Sequence, residues 1–206
     1  MLNHIETLVT NEMNEKLMEE FTVKEISDAL FQIGPLKSPG PDGFPARFYQ
    51  QNWDVLKEEV VGAVKQFFTD GVMPSELNTT TIVLIPKTNQ AVELKDFRPI
   101  SLCNVIYKVV SKCLVNRLRP LLDDLIGIEQ SAFIPGRLIS DNTLIAFECF
   151  HAIQKGRNSS YSFCAFKMDL SKAYDRVDWK YLKGVLTKLG FNPRWVSWVM
   201  ACVTSV

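Results

Sequence analysis

Phe166-Lys167-Met168-Asp169-Leu170-Ser171-Lys172-Ala173-Tyr174-Asp175 sets an acidic residue at the end of an apolar run, with an aromatic ring five residues beyond it. Residues 161–168 are rich in aromatics and follow Gly156-Arg157-Asn158-Ser159-Ser160, the signature of a buried strand bounded by a turn. Asp169 then falls at a strand end. A carboxylate there can reach a hard cation such as Mg²⁺, which keeps most of its ligands as water and phosphate oxygen. An Asp that accepts backbone hydrogen bonds in a turn fits the same position, and the decapeptide alone leaves both readings open.

Other segments precede it in order: Lys37-Ser38-Pro39-Gly40-Pro41-Asp42-Gly43-Phe44, Ile82-Val83-Leu84-Ile85-Pro86-Lys87, Phe97-Arg98-Pro99-Ile100-Ser101-Leu102 and Gln130-Ser131-Ala132-Phe133-Ile134-Pro135-Gly136-Arg137. From about residue 21 onward, this ordered series resembles the reverse transcriptase of LINE-type (non-LTR) retrotransposons, in the flavour abundant in plant genomes. The resemblance implies an RNA-directed DNA polymerase that uses Mg²⁺, with an RNA template, a DNA primer and deoxynucleotide triphosphates as partners. It implies Asp169 as catalytic metal ligand, assisted by the Leu170 carbonyl, and Lys87 and Arg98 as the clamp on the triphosphate. Lys172 and Ala173 would offer backbone N–H groups to phosphate, and Tyr174 would stand below the sugar and exclude a 2′-hydroxyl. Asp175 is as compatible with a cap or a pair with Arg176. Gly136 and Arg137 match a segment that supports template and nucleotide pocket.

Residue by residue, plainer readings stand beside these. Lys87 after a strand suits a solvated loop, Arg98 suits an ion pair with Asp96 or Glu93, and Tyr174 suits core packing.

Polymerases of this kind hold two metals with carboxylates from two places, the second a later Ala-Asp-Asp turn. No Ala-Asp-Asp occurs in these 206 residues. The one Asp-Asp pair, Asp123-Asp124, follows Pro120-Leu121-Leu122 and reads as the polar end of a helix. The expectation is an α+β chain, mostly helical with a small sheet: right-hand polymerase fingers and a partial palm, inactive by itself. Residues 1–20 read as a leader, a frayed helix or the end of a linker, 21–160 as fingers and 161–206 as the start of the palm. An apolar flank is expected to be exposed along residues 161–169 and Trp195-Val196-Ser197-Trp198, for want of the strands that would cover it.

Composition fits a folded, intracellular chain: 47% hydrophobic and 22% charged residues can bury a sizeable core. No apolar run is long enough to span a bilayer, and the acidic first residues lack a signal-peptide layout. The cysteines, at 103, 113, 149, 164 and 202, are odd in number and scattered, which disfavours both a disulfide framework and a zinc site. His4 and His151 offer no metal spacing. Net charge is zero, against the basic excess usual for phosphate binding. Lys87, Lys95, Arg98, Lys108, Lys112, Arg117, Arg119 and Arg137 nevertheless gather in the middle, behind a leader rich in glutamate. That distribution suits either a basic surface or solvated helix faces.

Local signals predict the elements. Thr22 and Glu25 have capping-box spacing, with Phe21 and Ile26 as the staple. Ile26, Ala29, Leu30 and Ile33 make a stripe that ends at Gly34-Pro35. A second helix is predicted over about 45–70, with Phe48, Leu56, Val60, Val64 and Phe67 inward and Gly71 beyond it. Residues 79–85 read as a strand closed by Pro86, and Asp96-Phe97-Arg98-Pro99 as a loop. A helix starts near Asn104 and carries Val105, Val109, Cys113 and Leu114 until Pro120. Another starts near Asp141-Asn142 and runs through Leu144, Phe147 and Phe150. Asp178 caps a helix ended by Gly190, and Asn192-Pro193 opens the next.

Two other classes compete with a polymerase. A nucleic-acid-binding or structural module without catalysis is disfavoured by the neutral charge and the lack of aromatic-basic RNA motifs. A palm-like cyclase shares strand-end acids but not the Lys87, Arg98 and Arg137 segments.

Overall fold

The computed structural model describes residues 2–155, 164–168, 173 and 176–205. Its helices are α1 (Asn11–Met18), α2 (Val23–Phe31), α3 (Ala46–Gln51), α4 (Trp53–Asp70), α5 (Ser75–Asn78), α6 (Val105–Leu118), α7 (Leu122–Leu125), α8 (Ile139–Lys155), α9 (Trp179–Leu189) and α10 (Pro193–Thr204). Two strands, β1 (Thr80–Pro86) and β2 (Phe97–Cys103), pair antiparallel as a hairpin. Among the described residues the chain is therefore mostly helical with one small sheet.

The caps form as the sequence reads. The Thr22 side chain accepts from the Glu25 N–H at 3.2 Å, while the Glu25 carboxylate accepts from the Thr22 N–H at 2.9 Å, closing a capping box on α2. Asp178 accepts from the Tyr181 N–H at 2.7 Å to start α9, and Asn192 from the Arg194 N–H at 2.8 Å to start α10. Gly71 and Gly190 end α4 and α9 in the left-handed conformation that only glycine adopts freely.

These helices bury one face each. Ile26, Ala29 and Leu30 of α2 meet Val60, Val64 and Phe67 of α4, Val109, Val110 and Cys113 of α6, and Trp195 and Trp198 of α10 in one core. Phe21 stacks on Phe68 with ring centroids 3.9 Å apart, and Trp198 meets Phe68 edge-on at 5.1 Å. The Trp198 indole N–H donates to the Phe68 carbonyl at 3.1 Å, so the polar atom of a buried ring is satisfied. Burial pushes the Cys113 thiol up to about 12, with Glu25 adding to the rise and Arg117 opposing it; burial does the same to Cys202. Both thiols are inert at neutral pH.

Several expectations are corrected. Within residues 1–20, read as a frayed helix or the end of a linker, α1 packs on the core, with Val9 and Leu17 buried. Leu8 and Val9 N–H groups both donate to the Leu189 carbonyl, at 3.1 and 2.9 Å, and Asn14 bridges the Gly190 carbonyl and the Asn192 N–H at 2.8 and 2.7 Å. The helix predicted over 45–70 breaks at Asn52, whose side chain donates back to the Phe48 carbonyl at 2.8 Å, and Phe48 is partly exposed. Residues 97–103 are a strand rather than a loop. Pro99 stands opposite Leu84 at a non-hydrogen-bonded position, so its nitrogen faces a free edge and the ladder loses no donor.

Trp195, Val196 and Trp198 are buried, because α4 and the Phe21 ring cover them. Of the expected apolar flank, Phe166 and Met168 are exposed, and further exposed apolar surface lies on the hairpin and on α8, where Leu144, Phe147 and Phe150 all face outward. Of the strand expected over 161–168, residues 161–163 lie outside the described residues. Residues 164–168 form no strand and are exposed.

Gly190 has φ +93°, and a Cβ there would lie 2.6 Å from the Thr7 Cγ2 and 3.2 Å from the Val9 carbonyl oxygen. Gly71 has φ +72° with open space where its Cβ would go. Gly71→Ala should therefore cost only the left-handed penalty, about 1–2 kcal/mol. Gly190→Ala should cost more, because residues 7–9 must also move. Urea unfolding of the two variants compares them directly, and equal losses would rule out the clash.

Candidate nucleotide site

The hairpin register brings the two predicted clamp residues together. Ile85 pairs with Arg98 and Pro86 with Phe97. The Lys87 N–H continues the ladder by donating to the Asp96 carbonyl at 2.8 Å. Since side chains alternate along strands, Ile85, Lys87 and Arg98 share a face, with Lys87 and Arg98 as diagonal neighbours. A 3-10 turn at Leu94–Asp96 shapes the connection, and the Asp96 carboxylate accepts the Val92 and Glu93 N–H groups at 3.2 and 3.0 Å. Glu93 pairs with Lys95 at 2.6 Å. Both acids that would have paired with Arg98 are thus engaged elsewhere, and among the described residues no carboxylate lies within ion-pair distance of Arg98. The Lys87 ammonium donates to the Lys95 carbonyl at 2.6 Å, a neutral partner.

Apolar residues occupy both faces of the hairpin, the pattern of strands covered on both sides. Yet Ile82, Val83, Leu84, Ile85 and Ile100 are all exposed. Phe97 at the far end is half-buried, and burial is greatest at the root, where Leu102 and Cys103 are half-buried and Asn104 is 1% exposed.

Gly136 has φ +79°, and a Cβ there would meet nothing within 4 Å. Arg137 follows. Its guanidinium donates to the Asp123 carboxylate, at 2.7 and 3.1 Å, and to the carbonyls of Asp123, Ile126, Gly127 and Gln130. Arg137 therefore acts here by holding residues 123–137 in one shape, and Asp123 is its counter-ion. Within that loop Phe133 has φ +67° and a 92% exposed ring.

Ala173 lies in an exposed turn, its carbonyl accepting the Arg176 N–H at 3.3 Å. Asp169, Leu170, Lys172, Tyr174 and Asp175 lie outside the described residues. Among the described residues no group of three or more His, Cys, Asp or Glu side chains could hold a metal ion, and no helix is long and apolar enough to cross a membrane.

The central basic cluster is largely structural. Lys108 donates to the Ser38 carbonyl at 2.7 Å, Arg117 pairs with Glu25 at 2.8 Å, and Lys95 and Arg137 have the partners given above.

Comparison with known proteins identifies the family. Residues 85–205, more than half the chain and including Lys87, Arg98 and the Asp169 segment, match the family described as reverse transcriptase (RNA-dependent DNA polymerase). The chain belongs to the reverse transcriptase family. This reverse transcriptase chain is 32% identical over 198 residues to the transposon TX1 uncharacterized 149 kDa protein of Xenopus laevis. It is 25% identical over 166 residues to the Pol polyprotein of the type-1 retrotransposable element R1 of Bradysia coprophila. Against the Pol polyprotein of the type-2 element R2DM of Drosophila melanogaster it is 26% identical over 162 residues. These alignments cover 96%, 79% and 79% of the chain but only 15%, 16% and 15% of the respective relatives. The relatives are non-LTR elements, in agreement with the ordered sequence motifs.

One residue escaped the sequence reading as a positional element. Asn104 was legible only as a helix start. Its side chain accepts the Asp42 N–H at 3.3 Å and donates to the Glu76 and Leu77 carbonyls, both at 3.2 Å.

Proposed function

We propose that this span is the nucleotide-gripping part of an RNA-directed DNA polymerase of a non-LTR retrotransposon, built as polymerase fingers leading into the first part of a palm. The observation that carries the reading is the Lys87–Arg98 pair: two cations on one face of an uncovered hairpin, inside the family-matched residues.

Phosphoryl transfer is dominated by positioning and charge neutralisation. Arg98 offers a planar fork that grips a phosphate with two parallel hydrogen bonds, and Lys87 adds a mobile point charge. A charged phosphate oxygen is a stronger acceptor than the carbonyl that Lys87 now engages, so the exchange favours the ligand. Asp169 and the Leu170 carbonyl, hard oxygen donors suited to Mg²⁺, would hold the metal. When bound, the metal supplies neutralisation of charge on the triphosphate. Lys172 and Ala173 add backbone donors to phosphate, and Tyr174 selects deoxynucleotides by filling the space of a 2′-hydroxyl. Gly136 leaves its backbone open to approach by a nucleic acid, and Arg137 keeps the loop that presents it in one shape. RNA template and DNA primer are the partners in this reading.

The test is titration of the chain with a fluorescent deoxynucleotide triphosphate in the presence of Mg²⁺. Lys87→Ala and Arg98→Ala should each weaken binding about tenfold, since a charge-assisted hydrogen bond contributes about 1.5–3 kcal/mol. Arg98→Lys should recover less than half of the loss. Unchanged affinity in both alanine variants would overturn the assignment.

A further inference from the structure

The hairpin that carries Lys87 and Arg98 is exposed along most of its length, apart from the half-buried Phe97, and reaches full burial only where it joins the helical core. Its orientation is therefore set at the root. Three stretches of chain meet there around the Asn104 side chain. Asn104 itself is the residue by which the chain leaves β2 and enters α6. The Glu76 and Leu77 carbonyls, which accept from its amide at 3.2 Å, belong to α5, just before β1 begins at Thr80. The Asp42 N–H, which donates to its side-chain oxygen at 3.3 Å, belongs to the loop containing Ser38-Pro39-Gly40-Pro41-Asp42-Gly43.

The fit is tight as well as polar. A Cβ on Gly40 would lie 2.1 Å from the Asn104 side-chain oxygen, 2.4 Å from its backbone nitrogen and 2.6 Å from the Cys103 carbonyl carbon, so only glycine passes there. One turn into α6, the Lys108 ammonium donates to the Ser38 carbonyl at 2.7 Å and holds the same loop from the other side. A carboxamide suits this place because it presents one acceptor and two donors from one planar group. At 1% exposure, any unmatched atom of it would be costly.

The geometry points to Asn104 as the positioning residue of the nucleotide grip, locking the angle at which the Lys87–Arg98 hairpin leaves the helical core. The inference rests on the nucleotide reading of that pair. At about 3.4 Å per residue, a seven-residue strand carries its far end about 24 Å from its root, so a tilt of about 10° moves Lys87 by about 4 Å. Misplacement of about 1 Å is enough to cost about a hundredfold in a reaction that depends on alignment. A lock at the root therefore controls the grip without touching substrate.

Asn104→Asp tests this. It is isosteric and keeps the acceptor for Asp42, but replaces the amide donors to Glu76 and Leu77 with an oxygen. Paired spin labels at Gln90 and Lys57 would report hairpin angle, and a pair at Lys24 and Lys57 would report the helical core; all three positions are exposed. The expected result is at least a doubled width of the Gln90–Lys57 distance distribution, with the Lys24–Lys57 distribution unchanged. Triphosphate affinity should fall about tenfold, and Gly40→Ala should reproduce both effects. An unchanged hairpin distribution would overturn the proposal. So would broadening of both distributions, which would mean that Asn104 only stabilises the fold. If the unmodified chain bound no triphosphate while Asn104→Asp still loosened the hairpin, the nucleotide reading would fail and the lock would stand.

Discussion

Arg117→Ala is expected to cost about 3 kcal/mol of stability, because it removes a fully engaged guanidinium and leaves its acceptors stranded. Arg117 is 10% exposed in its side chain and pairs with Glu25 through Nε at 2.8 Å and Nη2 at 3.1 Å. It also donates to the carbonyls of Leu17, Glu19 and Glu20, which end α1, and lies 3.5 Å from the centroid of the Phe21 ring. One side chain thereby joins α1, α2 and α6. Arg117→Lys keeps the charge but cannot serve both carboxylate oxygens and three carbonyls, so it should recover less than half. Urea unfolding checks both variants, and a loss below about 1 kcal/mol for alanine would show the network to be ornamental.

The same pair gives a pH dependence. Burial acts to raise the Glu25 carboxyl, but hydrogen bonds from Arg117 and Thr22 together with the Arg117 charge outweigh it and hold the group below its ordinary value of 4.5. A carboxyl depressed in the folded state binds its proton more readily when unfolded. The stabilisation is complete above about 4.5 and is lost as pH falls through the lower folded value. In Arg117→Ala most of this acid-side loss should disappear.

The second large effect concerns chemistry. The 206-residue chain is expected to show no template-directed DNA synthesis. In-line transfer of this kind uses two metals about 3.5–4 Å apart, held from two carboxylate elements. In the proposed reading Asp169 would supply one, and no Ala-Asp-Asp occurs in these residues to supply the other. Primer extension on an RNA template with Mg²⁺ or Mn²⁺, run beside Asp169→Ala, is the measurement. Extension above background that the Asp169 variant abolishes would mean that a complete centre assembles from this span.

What the sequence disclosed was mainly local. Thr22 with Glu25, Asp178, Asn192-Pro193, Gly71 and Gly190 act within one turn of helix, so each cap was readable from its own neighbours. The packing of the leader helix was not legible because its glutamates mask a stripe. Val9, Met13 and Leu17 are four apart, and that spacing was the available signal. Strand β2 was hidden by Pro99, which is admissible only because no third strand needs its N–H. The burial of Trp195 and Trp198 depends on α4 and Phe21, more than a hundred residues away.

For the site, the motif order led to Lys87 and Arg98, and the register puts them on one face. Asn104 stayed silent because its meaning requires Gly40 and Asp42, which local periodicity cannot join to it.

The hydrogen bonds that tie residues 8–14 to residues 189–192 also carry a temporal consequence. A ribosome releases α1 and α2 early, yet the carbonyls of Leu189 and Gly190, the N–H of Asn192 and the Trp195–Trp198 wedge do not exist until almost the whole span has been translated. At about 5–20 residues per second, the glutamate-rich α1 waits roughly 10–40 s for its partner. During that interval Leu17, Phe21 and Phe68 have no Trp198 to complete their cover. Closure of the core is thus a late, long-range event in the life of the nascent chain.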